Sequence, residues 1–355
     1  MVKSTVMNNE RVLYLDLLRI FSVFCMIVLH TITLGFRSYH PESIDWQIYN
    51  VFNSLVRVCV PLFVMISGAL FLKPHKEIPL KRLFSKYILR IVTAFLFWSA
   101  LYAVYSAYYF VGTPAESISQ FFKDLVSGHF HMWFLYMIIG LYLIVPFLKK
   151  ITADKKLTEY FLILAFIFAL LIPALMLLPP QDKPVAERLL EIANIAFVTN
   201  FPVYFVAGYY FSANQISNKF KIVIFVLGIA SILFTIFMNS YLSVQAGIGV
   251  ETLYSYLLPN TAFFTLAVFM FFKLVFEKKQ FSKKLTQTIL LFSKCSFGIY
   301  LVHVFVLIFF NEIGFDTFMY YSIISIPVVS VSIFFVSFLL SYLVNKIPIL
   351  NKYIV

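Results

Sequence analysis

Residues 12–36 read VLYLDLLRIFSVFCMIVLHTITLGF. The stretch is long and apolar enough to cross a bilayer as a helix, since about 20 residues rising 1.5 Å each span the hydrocarbon core. Yet it holds Asp16, Arg19 and His30. At 100° per residue, Arg19 and His30 are separated by about three full turns plus 20°, and Asp16 lies within about 60° of both. The three form one polar stripe, and Asp16 and Arg19, three residues apart, also read as an ion pair anchoring the helix at the cytoplasmic interface. Ionisable groups inside a membrane cost a few kcal/mol or more when they face lipid, so the stripe is expected to face a bundle interior or a water-filled cavity.

The rest of the chain agrees with a membrane bundle. Its 355 residues are 61% hydrophobic and 12% charged, with a mean hydropathy of +0.90, against about half apolar and a quarter charged in soluble domains. Ten apolar segments are long enough to span: 13–34, 51–72, 88–111, 130–148, 158–179, 195–212, 221–241, 253–276, 294–313 and 319–344. The expected fold is all-α, a polytopic membrane bundle of about ten helices, forming a single domain over 1–355 with no soluble domain appended. A barrel would need short alternating strands instead.

The net charge of +12 reads as membrane orientation rather than nucleic-acid binding, because no basic soluble domain carries it. Of the 28 Lys and Arg residues, 21 fall at the N-terminus, in 73–90, 149–156, 219–221 and 278–294, and in the C-terminal tail. The alternate loops hold only Arg37, Lys123, Lys183 and Arg188, and Arg19, Arg57 and Lys273 fall inside spans. This asymmetry places both termini in the cytoplasm of a multi-pass cell-membrane protein. Cys25, Cys59 and Cys295 show no CxxC spacing, and neither a disulfide nor a metal site is expected.

Other buried or clustered polar residues have competing readings. Arg57 enters from the outer end of the second span at about the depth of His30, so the two are expected to approach each other. Lys273 lies near a cytoplasmic end and is expected to snorkel. His303 sits nine residues into the ninth span and is read as lying on the other side of the midplane from His30. His129 and His131, beside Trp133 and Tyr136, read as an interfacial belt or as substrate contacts; a two-residue spacing is poor for zinc on a helix. The run KPHKEIPLKRLFSKYILR (73–90) suits either lipid headgroups or a polyphosphate ligand, and it lacks a Walker-type glycine loop.

The spacing R19-IFSVFCMIVL-H30, with YLDLLR (14–19), PLFVMISGALF (61–71), HMWFLYMIIGLYLIVP (131–146) and SFGIYLVH (296–303) in order, resembles the membrane acyltransferase-3 family, multi-span O-acyltransferases of surface polysaccharides. The resemblance covers the whole chain. It implies transfer of an acyl group, usually acetyl, from cytoplasmic acetyl-CoA or another acyl-CoA to a hydroxyl of a surface polysaccharide or lipid-linked sugar. No cofactor is bound. It also implies that His30 is the catalytic histidine and Arg19 its motif partner. Many members carry an Arg-x-x-Arg pair at the start of the third span; here Arg90 fits the second position, Tyr87 occupies the first, and Lys86 is adjacent. On this reading Arg90, Lys86 and Arg82 hold the CoA phosphates, and Arg57 stabilises an oxyanion near His30. His30 serves either as general base or as an acyl relay. The rival reading is an exporter of polysaccharide or lipid-linked sugar. A transporter should show paired repeats with broken helices at matching places, and no such repeat is visible in the sequence.

Overall fold

The structure is a computed structural model that describes residues 12–74, 77–109, 114–177 and 200–354. All its regular elements are helical. We label them α1 (Leu13–Ser38), α2 (Ile44–Phe71), α3 (Leu80–Tyr109), α4 (Pro114–Ser127), α5 (Trp133–Leu143), α6 (Val145–Thr152), α7 (Lys155–Leu175), α8 (Pro202–Ala213), α9 (Asn218–Ala246), α10 (Pro259–Phe276), α11 (Lys283–Glu312), α12 (Ser322–Lys346) and α13 (Pro348–Tyr353). In hydrocarbon every backbone N–H and C=O must be satisfied within its own segment, and helices do this. Hydroxyls along the spans are satisfied the same way: those of Ser22, Thr31 and Ser54 each donate to the carbonyl four residues earlier.

Eight described helices are long and apolar enough to cross a membrane. The pair α5 and α6, bent by 57°, is together also long and apolar enough, either as a broken ninth span or as a re-entrant loop. The bend falls just before Pro146, whose ring fits the first turn of α6 but cannot continue α5. The tenth expected segment, 195–212, is only partly described; its described part is the twelve-residue α8.

α8 packs directly on the backbone of α2. A Cβ added at Gly68 would collide with the Phe205 carbonyl, and one at Gly208 with the Met65 backbone. Small residues at such crossings let two membrane helices approach closely. The far end of α8 is closed by Lys273. Its ammonium is buried and donates to the carbonyls of Phe211 (2.8 Å), Ser212 (2.9 Å) and Asn214 (3.2 Å). Lys273 therefore does not snorkel. The carbonyls left over at a helix C-terminus attract a cation more strongly than a distant headgroup layer does.

α1, α3 and α11 run in the same direction and frame the interior. Near their starts Asp16 and Arg19 meet Ser293, and further along His30 meets His303.

Candidate active site

The start of α1 is anchored by a three-membered network. Arg19 Nη1 donates to Ser293 Oγ (3.0 Å) and lies 3.5 Å from Asp16 Oδ1. Ser293 in turn donates to Asp16. Asp16 is almost fully buried, and Arg19 is partly open. The expected ion pair is present, and a serine from α11 completes it.

That opening leads into a cavity of about 1070 Å³. Arg19, Lys86, Arg90 and Lys294 line it, with Tyr87, Tyr142, Phe71 and Phe297 as aromatic walls. Among the described residues no carboxylate lines it. Four cations facing a partly dehydrated space with no acid among them favour an anionic ligand. The Arg90 guanidinium sits 5.8 Å from the centre of the Phe297 ring, and Phe71 stacks on Tyr142 at 4.3 Å.

Lys86 and Tyr87 both line the cavity, and they lie in a π-helical segment, Leu83–Ile88, within α3. Widening the helix there changes which side chains share a face. Tyr87 and the lysine beside it thus share the cavity lining. Arg82, one turn earlier, is exposed and does not line the cavity. Lys294 was hidden in the sequence among the basic residues of 278–294.

At its other end the cavity reaches Phe134 and Tyr300. The Tyr300 hydroxyl donates to the His131 carbonyl (2.9 Å). Four imidazoles gather beyond it. The His30 ring lies 5.3 Å from that of His303 and 6.4 Å from that of His131, centre to centre. His131 lies 5.2 Å from His303, and its Nδ1 is 3.2 Å from His129 Nδ1. Tyr102 stacks on His129 at 4.4 Å and on Phe305 at 3.9 Å. His30 also packs edge-on against Phe130, at 5.2 Å.

The placement of His303 corrects the expectation that it lies across the midplane from His30. The segment read as a loop through Lys294 is helical from Lys283 onward. α11 therefore begins more than two turns earlier than expected, and His303 lies about 30 Å along it rather than about 14 Å. His131 is not part of a surface belt either, and His129 beside it is half-buried. His131 is 2% exposed and seated among the other histidines.

Arg57 lies where α2 breaks. Pro61 has no N–H to offer the Arg57 carbonyl, and the helix pauses at Arg57 and Val58 before resuming at Cys59. From this break the guanidinium donates to Asn53 Oδ1 (2.9 Å), lies 3.9 Å from Glu251 Oε2 and covers the Tyr254 ring at 4.6 Å. Tyr254 is held by Asn50, which also ties α2 to α9 through Ile236 and Asn239. The contacts of Arg57 thus include Asn53, Glu251 and Tyr254.

Residues 12–346 match the family model described as "Acyltransferase domain", of acyltransferase family 3. No curated protein and no solved structure matches the chain. With 335 of its 355 residues inside that match, the chain belongs to the acyltransferase-3 family and is a multi-pass membrane acyltransferase.

Proposed function

We propose that this protein is an O-acetyltransferase of the cell membrane. It takes the acetyl group of cytoplasmic acetyl-CoA and delivers it to a hydroxyl of a surface polysaccharide or lipid-linked sugar on the opposite side. The observation that carries this reading is the single cavity that joins Arg19, Lys86, Arg90 and Lys294 to Tyr300, next to the histidine cluster. A ligand with a polyanionic head and a long thin arm fits such a space. Its phosphates pair with the cations, and the arm points toward His30. The excess of Lys and Arg in the loops at the donor end supports a cytoplasmic position for that end and for both termini.

A thioester carbonyl is already electrophilic. What the reaction lacks is a base near neutral pH, a role suited to imidazole. His30 removes the proton of the sugar hydroxyl as its oxygen attacks the acyl carbon, and the C–S bond then breaks with the electron pair leaving on sulfur. Arg19, fixed by Asp16 and Ser293, guides the donor past the start of α1. Arg57 supplies positive charge near the tetrahedral oxyanion.

NMR of surface polysaccharide from cells with and without this protein tests the proposal. The expected result is O-acetyl signals on a sugar in the first sample and their loss in the second. Identical spectra would refute it.

A further inference from the structure

His303 has one ring nitrogen committed and one free. Its Nδ1 lies 2.7 Å from the Tyr300 carbonyl oxygen. A carbonyl only accepts, so Nδ1 carries the hydrogen and Nε2 is left as a bare lone pair. That Nε2 is buried and has no hydrogen-bond partner among the described residues. The ring is 1% exposed and lies 5.3 Å from the His30 ring, tilted 32° to it. Buried acceptors normally have donors, and an unpaired one is costly. The adjacent polar rings are those of His30, at 5.3 Å, and His131, at 5.2 Å. His131 has a buried and unpartnered Nε2 of its own, so of the two it is His30 that is read as the donor.

We propose that His303 is a positioning residue for His30. The two rings are not hydrogen-bonded in this structure; as one nitrogen of His30 takes the proton of the acceptor hydroxyl, a small rotation of the ring lets the N–H on its other nitrogen donate to His303 Nε2. This holds the ring in the productive tautomer and spreads the new charge, as the third member of a catalytic triad does. The inference rests on the reading of His30 as the base. The step balances. The O–H bond of the sugar breaks and an O–C bond to the acyl carbon forms. The C–S bond of the thioester breaks, and the proton held by the histidine pair passes to the departing sulfur, giving the CoA thiol.

Steady-state kinetics of two variants in proteoliposomes test it. His303→Gln keeps the volume of the side chain and can still donate to the Tyr300 carbonyl, but its amide oxygen, although an acceptor, is too weak a base to share the proton of a charged His30. Its kcat is expected to fall by about 10- to 10³-fold with an unchanged KM for acetyl-CoA. His303→Ala opens space beside His30, and added imidazole is expected to restore part of its kcat in a concentration-dependent way, which a purely structural loss would not show. Wild-type turnover of His303→Gln, or no recovery by imidazole in a folded His303→Ala protein, would overturn the proposal. If His303→Ala does not fold, the glutamine variant decides alone. An inert His30→Ala beside a fully active His303→Gln sinks only this inference. Full activity in both sinks the reading of the site itself.

Discussion

Replacing His30 with alanine is expected to lower acyl transfer by about 10²- to 10⁴-fold, the usual loss on removing a general base. The protein should still fold and insert. The imidazole packs against Phe130, His131 and His303, and a small apolar side chain is cheaper in lipid than the group it replaces. Acetyl-CoA binding should survive, because Arg19, which lines the cavity together with Lys86, Arg90 and Lys294, lies about 16 Å from His30 along α1, and His30 does not line the cavity. The check is a transfer assay paired with a binding isotherm on the same preparation. Residual activity within that range fits the base role. Complete loss, with labelled acetyl trapped on His30 in the wild type, would instead mean that His30 carries the acyl group itself. Wild-type turnover of His30→Ala would remove His30 from the mechanism.

Arg90→Ala should produce the second large effect, and on a different quantity. The guanidinium lines the cavity above Phe297. Loss of one charge-assisted contact to a phosphate costs about 1.5–3 kcal/mol, which is roughly 10- to 150-fold in donor affinity. KM for acetyl-CoA should rise by that factor while kcat changes little, because the contact is made equally in the ground and transition states. Arg90→Lys should recover only part of it, since an ammonium lacks the planar fork that grips two phosphate oxygens. Unchanged donor KM in a folded Arg90→Ala protein would leave the basic segment as a lipid contact.

The two effects map onto the two ends of one polar path, and the sequence disclosed those ends unequally. The polar face of the first span could be read directly, because helical periodicity places Asp16, Arg19 and His30 on one side and lipid forbids that side from facing outward. The pairing of Asp16 with Arg19 followed from a three-residue spacing; the serine that joins them comes from 277 residues further on and has no local signature. The register of His303 was misread for a physical reason. Lys283, Lys284 and Lys294 look like a loop to a hydropathy count, but a helix can extend out of the bilayer with charged turns intact, and α11 does so. Lys273 was misread because its partners, the last carbonyls of α8, are about 60 residues earlier in the chain. The neighbourhood of Lys86 depends on a π-helical segment that apolar periodicity does not reveal. Span positions, in short, came from local hydropathy, while the histidine cluster depends on how α1, α3, α11 and the 128–132 turn meet.

The central claim is that donor and acceptor meet from opposite faces of the membrane at His30. It is tested most directly in sealed proteoliposomes in which only molecules with Lys86 facing the bath are active. Acetyl-labelled acetyl-CoA is added to the bath, and surface polysaccharide from cells lacking the protein is enclosed in the lumen. The expected result is label on the enclosed polysaccharide with wild-type protein and almost none with His30→Ala. Label that reaches polysaccharide only when it is added to the same side as the donor would contradict the claim.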